Sequence, residues 1–320
     1  MKKIILIMVL AVLVIVGCKG RYTEGPIVTR DIYEGTQGLV VEFLPMPREI
    51  FEESPFRIDV ELRNEGAFDI EAGYLTLGLE SDFIGLGEWA LRRPITSIVS
   101  DEQAEFDLEG KSMLNPEGSQ GITAISLVSK KIEALRERHT SVILLTGCYA
   151  YKTKLSEGVC IDTDVLGTTA VEKACEVEDK NFRSQGAPVA ITKIEASMFP
   201  QEDVIKPQYL IYIENKGGGE VIKTDVVRNA CSGESISYDD FNVIAVKAYL
   251  FDKQLTCTPS LEGSKAGLAK LREKKDEIRC VLEEGISKEI GTHTETLNIE
   301  LDYGYTETIS TAIDIKKVPT

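Results

Sequence analysis

Two ungapped stretches of the chain match each other at an offset of 154 positions. His139 to Ile161 reads HTSVILLTGCYAYKTKLSEGVCI, and His293 to Ile315 reads HTETLNIELDYGYTETISTAIDI. Identities fall at the leading His-Thr, at Tyr149/Tyr303 and Tyr151/Tyr305, at Ser156/Ser310 and at Ile161/Ile315. Self-similarity of this length is the mark of a duplicated unit, and it constrains the architecture before any motif is weighed. With 320 residues, two cores suit the length better than one.

Within the second stretch, Leu297, Ile299, Leu301, Tyr303 and Tyr305 share one parity, with Asn298, Glu300, Asp302 and Thr306 on the other. Thr311, Ile313 and Ile315 follow against Ser310, Asp314 and Lys316, and the pattern reads as an antiparallel hairpin with one buried face. Earlier in each copy, Gln37-Gly38 and Gln185-Gly186 open a strand. Next come FRIDVELRNEG (Phe56 to Gly66) and QYLIYIENKGGG (Gln208 to Gly219), both alternating and both stopping at Asn-x-Gly, a pair that tolerates the turn conformation. Ser264 to Glu284 is composed like a helix, but Ile278, Cys280 and Leu282 alternate, so it is assigned to strand. Lys130 to Arg138 is expected to be a short helix.

The expected fold class is all-β: two tandem immunoglobulin-like β-sandwich domains related by internal duplication. The expected organisation is a signal peptide over 1–17, a tether over 18–36, domain 1 over 37–170, a linker over 171–185 and domain 2 over 186–318. Lys2 and Lys3 precede the apolar run Ile4 to Val16, which is short against the roughly 20 residues a membrane span needs. The run ends in Ile15-Val16-Gly17-Cys18, which resembles the lipobox of exported lipoproteins. That resemblance implies lipidation at Cys18 and a place on the outer face of the cell membrane.

The remaining six cysteines, Cys148, Cys160, Cys175, Cys231, Cys257 and Cys280, read as a disulfide framework with 15 possible pairings. If the hairpin folds with 148 opposite 160, a Cys148 to Cys160 bridge follows, since directly opposed residues stand about 4.5 Å apart. Cys257 to Cys280 and Cys175 to Cys231 then remain.

The residues FRIDVELRNEGAFDI and YLIYIENKGGGEVI resemble the strand and Asn-x-Gly turn of CARDB-like and surface-layer-associated immunoglobulin-like modules of archaeal and bacterial exported proteins. QGAPVAITKIE is similar to the opening of archaeal surface proteins of no assigned activity. The resemblance implies a sandwich with an adhesive, scaffolding or assembly role, and it carries no catalytic residue. None of the seven asparagines of the chain lies in N-x-S/T, a departure from the glycosylated surfaces of archaea.

Charge excludes one class of function. With 52 acidic against 36 basic residues, the chain lacks the basic surface that nucleic-acid phosphates require. No catalytic site, metal site or cofactor is expected. Gly110-Lys111-Ser112 lacks the upstream glycine of a phosphate loop, Gly217-Gly218-Gly219 reads as a turn, and no G-x-S-x-G occurs. His139 and His293 recur at equivalent places and read as structural. Asp162, Asp164, Glu176, Glu178 and Asp179 read as solvated charge rather than a calcium cluster.

One loop stands out: Asp82 to Pro94 holds the only tryptophan, Trp89, with Phe83 and Leu86 beside it. These are the partner-binding residues expected from sequence, against the alternative that they plug a sandwich end. The expected function is a non-enzymatic, membrane-tethered module binding protein or cell-surface partners. The alternatives are an accessory subunit of a transporter, secretion system or pilus, and a hydrolase or metal-dependent enzyme with an unrecognised site.

Overall fold

Strand formation here follows alternation carried much further than a hairpin needs. In the computed structural model, which describes residues 31–133, 135–168, 172–259 and 267–318, Arg138–Ile161 and His293–Lys316 are each one unbroken strand of 24 residues. They pair antiparallel along their whole length, from His293 opposite Ile161 to Lys316 opposite Arg138. The expected hairpins are therefore absent. The buried parity never changes between Leu297 and Ile315, and the intervening Thr306-Glu307-Thr308-Ile309-Ser310 offers no Gly, Pro or Asn at which a chain would reverse. The equivalent residues Ala150 and Gly304 stand opposite each other at the middle of the pair.

This pair is the spine of a ten-stranded sheet. Its order is Lys253–Gln254, Val243–Leu250, His293–Lys316, Arg138–Ile161, Ile70–Leu79, Gln103–Leu108 and Ile95–Ser100, with Glu49–Phe51, Glu220–Ile222 and Leu268–Lys270 paired at its flanks. A four-stranded sheet comes wholly from the first repeat: Leu39–Phe43, Pro55–Asn64, Gln120–Ser129 and Ile84–Trp89. A six-stranded sheet comes from the second: Lys180–Asn181, Val189–Pro200, Val204–Asn215, Lys275–Val281 and Thr256–Pro259, with Ile286–Ser287 beside it.

Opposed residues of an antiparallel pair point to the same side, so the odd-numbered residues of both long strands form one face. That face is buried, with Ile143, Leu145, Tyr149 and Tyr151 from one strand and Leu297, Leu301, Tyr303, Tyr305 and Ile313 from the other. Both smaller sheets send their inner residues into the same continuous hydrophobic core, including Ile58, Val60, Leu62, Ile125 and Leu127 from one and Ile205, Tyr209, Ile211, Ile213 and Ile278 from the other. Each large side chain removed from water in this way contributes about 1.5–3 kcal/mol. The result is an all-β sandwich, and Ile32–Thr320 is one compact unit in which the repeats share a sheet.

The three disulfides correct part of the expected connectivity. Cys148 pairs with Cys231, Cys160 with Cys175, and Cys257 with Cys280. Cys148 and Cys160 cannot meet, because they lie on one extended strand about 40 Å apart. Cys175 therefore closes onto Cys160 from the segment after domain 1, and Cys231 reaches Cys148 from the second repeat. Cys257 stands directly opposite Cys280 on adjacent strands.

Ser264 to Glu284 forms strands at Leu268–Lys270 and Lys275–Val281 where it is described. Lys130 to Arg138 is not helical among its described residues. Ile132 is buried and its N–H donates to Glu52 Oε2 at 3.0 Å, which fixes the segment as an irregular connection. The signal peptide, Cys18 and the tether as far as residue 30 lie outside the described residues. Among the described residues no helix is long and apolar enough to cross a membrane.

Candidate functional site

The middle of the long-strand pair gathers the four repeated tyrosines. Ring centroids are 5.4 Å apart for Tyr149 and Tyr151, 5.9 Å for Tyr149 and Tyr305, 6.4 Å for Tyr151 and Tyr303 and 6.4 Å for Tyr303 and Tyr305, within the range of favourable aromatic pairs. Their hydroxyls tie down the two Asn-x-Gly turns in matching fashion. Tyr151 Oη donates to Asn64 Oδ1 at 3.1 Å and accepts from Phe68 N at 3.2 Å; Tyr305 Oη donates to Asn215 Oδ1 at 3.0 Å and accepts from Gly219 N at 2.9 Å. Leu39 N donates to Tyr149 Oη at 3.0 Å, and Val189 N to Tyr303 Oη at 3.4 Å. Burial raises all four phenols, Tyr305 to about 12. They stay neutral at physiological pH, and their hydrogen bonds make the cluster a clamp.

Glycine is required where the turns meet the rings. A Cβ on Gly66 would lie 2.0 Å from Tyr151 Oη, and one on Gly217 2.2 Å from Tyr305 Oη. Beside the clamp, Glu307 sits on the core side of its strand opposite Gly147, and burial raises its carboxyl above the ordinary value. A raised acid destabilises the fold where it is charged, above its folded pKa, and the penalty disappears as pH falls below the ordinary range. Glu307→Gln is expected to raise the urea midpoint at pH 7 and to leave it unchanged near pH 3.

The opposite, outer face of the large sheet divides into two unlike halves. Over the second repeat it is covered with ion pairs: Lys247 to Asp302 at 3.1 Å, and Lys152 and Lys154 to Glu300 at 3.8 and 3.5 Å. An insertion of the second repeat packs across the middle of the face onto first-repeat strands, with the six-residue helix Val227–Ser232 held over Cys148 by Cys231 and seated against Ile222, Tyr74 and Phe241. Between this insertion and the strands Val243–Leu250 and Leu268–Lys270 runs an open groove of about 750 Å³ with an aliphatic floor. Its cations are already neutralised, Lys223 by Asp240 and Lys270 by Asp239.

Beyond the insertion, toward the Arg138 end of the long strands, the same face is uncovered around Val142 and Leu144. Val142 lies opposite Ala312, Leu144 opposite Ser310 and beside Gly78, and Thr146 shares a 2.8 Å hydrogen bond with Thr308. Val142 and Leu144 are 41% and 43% exposed in spite of their place in the centre of a sheet. Charge appears at the end of the long strands, where Arg138 approaches Asp314 at 3.8 Å and Lys316 approaches Glu49 at 2.7 Å, and on the flanking strand, where Glu105 stands opposite Tyr74.

The sequence-derived partner residues are elsewhere and mostly turned inward. Trp89 is 5% exposed and its indole N–H donates to Asp101 O at 2.8 Å, so it closes the end of the core. Phe83 is half-buried and stacks on His139 at 3.5 Å, and Leu86 is half-buried against the core. The loop is thus the plug, which apolar residues on a strand-rich segment satisfy by burial when a sandwich end lies open. Trp89→Ala is expected to cost about 3–5 kcal/mol in a urea titration, the range for a truncated core aromatic; a cost below about 1 kcal/mol would return it to the surface.

His139 Nε2 lies 2.9 Å from Glu80 Oε2, which also accepts from Ser141 Oγ at 3.2 Å. The histidine contact holds the Glu80 carboxyl below its ordinary value. Serine here bonds to the acid and not to the imidazole, so the three do not form a nucleophile–base pair. His293 is at the equivalent strand position with its Nδ1 2.9 Å from Gly291 O. Asp162 is engaged by Lys173 at 2.6 Å and by Thr292 Oγ1 at 3.2 Å, and among the described residues no cluster of three or more His, Cys, Asp or Glu is arranged to hold a metal. The signal that would have pointed to the bare face is the even parity of the first copy, Val142 and Leu144, where its counterpart carries Thr296 and Asn298.

No protein-family model and no curated protein matches the sequence. Among solved structures, the chain is similar to part of a type I cohesin–dockerin complex from Clostridium thermocellum at 17% identity and a TM-score of 0.26, over 36% of this chain and 85% of that one. A second such complex from the same organism matches at 12% identity and a TM-score of 0.23, over 32% and 79%. A serine-rich repeat adhesion glycoprotein from Streptococcus agalactiae matches at 7% identity and a TM-score of 0.21, over 92% and 100%. At such identities and TM-scores no residue role passes from these proteins to this chain.

Proposed function

We propose that this protein is a non-enzymatic, extracytoplasmic binding module tethered to the membrane through Cys18, and that it docks a protein partner on the bare half of its large sheet. In this reading the chain is a duplicated immunoglobulin-like sandwich of the CARDB-like kind whose copies are fused through their long strands. The matched tyrosine–asparagine hydrogen bonds on either side of Ala150 and Gly304 support the duplication. Three disulfides suit an oxidising compartment, and the run before Cys18 supports export.

One observation carries the docking surface: Val142 and Leu144 stand exposed in the centre of a sheet face whose neighbours there are small or hydroxylic and uncharged, while the other half is covered by ion pairs. Depletion of charge around exposed aliphatic side chains is the composition of an interface core. The surrounding acidity of a chain with net charge -16 favours a partner whose rim is basic. The test is photo-crosslinking on intact cells with the crosslinker at position 144, and separately at position 154 on the charged half. A defined adduct at 144, lost on adding Val142→Asp and absent at 154, is the expected result. Equal adducts at both positions, or none at 144, would reject the surface.

A further inference from the structure

A second apolar feature lies far from this face. The turn Ser112–Asn115 is closed by Ser112 N to Asn115 O at 2.9 Å and by Asn115 N to Ser112 Oγ at 3.0 Å. At its tip, where turns ordinarily carry Asn, Asp or Gly, stand Met113 and Leu114, 85% and 99% exposed. The base of the loop is firmly held. Lys111 N donates to Gly66 O at 2.7 Å and Gly110 N to Asp69 Oδ1 at 2.7 Å, so the two side chains are presented outward by a fixed support.

The loop also adjoins the point where the chain enters the compact unit. Lys111 Nζ reaches Glu34 O at 3.5 Å, and Gly186 meets Ile32 and Tyr33 across the same side. Residues 19 to 31 separate Cys18 from that point, and 13 residues of any chain span at most about 45 Å at full extension. A folded unit of this size has a radius of gyration of about 19 Å. A chain held at Cys18 therefore cannot carry the side at which it enters, and this loop with it, more than about 45 Å from the anchor.

We propose that the Ser112–Asn115 turn is a membrane-contacting loop, whose Met113 and Leu114 enter the interface of the bilayer that holds the N-terminal anchor; the proposal rests on the anchored reading above. Contact would orient the sandwich on the membrane.

The test uses the full chain purified from membranes and returned to phosphatidylcholine vesicles, with tryptophan as a depth probe. Leu114→Trp places the probe on the loop. Phe251→Trp places it on an exposed turn whose N–H bonds to Thr296 O, about 27 Å along the long strand from Gly304. Trp89 is buried and supplies a constant background. Lipids brominated in the acyl chain should quench about half the added emission of the Leu114→Trp chain, as expected for burial about 5–10 Å into the interface. They should leave the Phe251→Trp chain unquenched, and adding Met113→Asp should reduce the loop signal. Vesicle-bound protein with the Leu114→Trp probe unquenched, or with both probes quenched alike, overturns the loop and leaves the anchor standing. A chain that stays in the supernatant on sedimentation overturns the anchored reading and the loop together.

Discussion

Removing the Cys148–Cys231 bridge, with both residues changed to serine, is expected to destabilise the protein by about 4 kcal/mol, the largest effect among its three disulfides. The bridge spans 83 residues, against 23 for Cys257–Cys280 and 15 for Cys160–Cys175. Constraint of the unfolded chain grows with the length of the closed loop, and a 15-residue loop is worth about 3 kcal/mol. This bridge also pins an insertion of one repeat onto a strand of the other, so its loss should have a local signature. Amide exchange across 223–241 should rise before the sheet itself loosens, because that segment rests on the sheet mainly through Val227, Cys231, Ile222 and Phe241. Non-reducing urea titrations of the three double-serine chains decide the matter. If the Cys160/Cys175 pair proves the costlier to lose, loop length is not what sets the order.

Asn64→Ala is expected to cost about 3–4 kcal/mol, and Asn215→Ala about 2–3 kcal/mol. Asn64 is fully buried and makes four hydrogen bonds: Nδ2 to Phe68 O at 2.7 Å and to Leu108 O at 3.2 Å, and Oδ1 from Gly66 N at 3.1 Å and from Tyr151 Oη at 3.1 Å. Truncation strands these groups in the core, and each unpaired one costs about 1–3 kcal/mol before relaxation. Asn215 makes the corresponding bonds to Gly219 O, Gly217 N and Tyr305 Oη but has no counterpart of the Leu108 contact, hence the smaller figure. The double variant should depart from additivity, because both turns lean on one ring cluster. Chemical denaturation of the two single variants and the double variant measures all three quantities, and single costs below about 1 kcal/mol would show that the clamp is dispensable.

Much of the strand content was legible in the pattern of residues. Pro55–Asn64 and Val204–Asn215 lie where Phe56 to Leu62 and Leu210 to Ile213 alternate, and both end at the Asn-x-Gly pairs. The Cys257–Cys280 pairing is reached from sequence only as a remainder once Cys148 and Cys160 are joined; that the two cysteines stand directly opposed on neighbouring strands is visible only in the sheet. The hairpin reading failed for a local reason: alternation reports which face a residue takes but says nothing about direction, and a straight strand and a folded one of equal parity look alike. From that error came the wrong Cys148 to Cys160 pairing. The loop around Trp89 misled for a related reason. An apolar cluster in a connecting segment serves equally to cap a core or to bind a partner, and only the position of Ile125 and its neighbours beneath it separates the two.

Sequence alone determined that a tyrosine-bearing stretch recurs, that its tyrosines fall in equivalent places, and that six cysteines are available to one another. These are properties of composition and period, and they survive any arrangement of the strands. Only the tertiary structure decided that the long strands run straight and pair with each other, so that the repeats share one sheet, a bridge joins them, and Val142 and Leu144 are left exposed on its outer face. The physical reason is that pairing between distant segments is chosen by the burial of whole faces against one another. No single stretch of residues contains that information, because it exists only once both stretches are in contact.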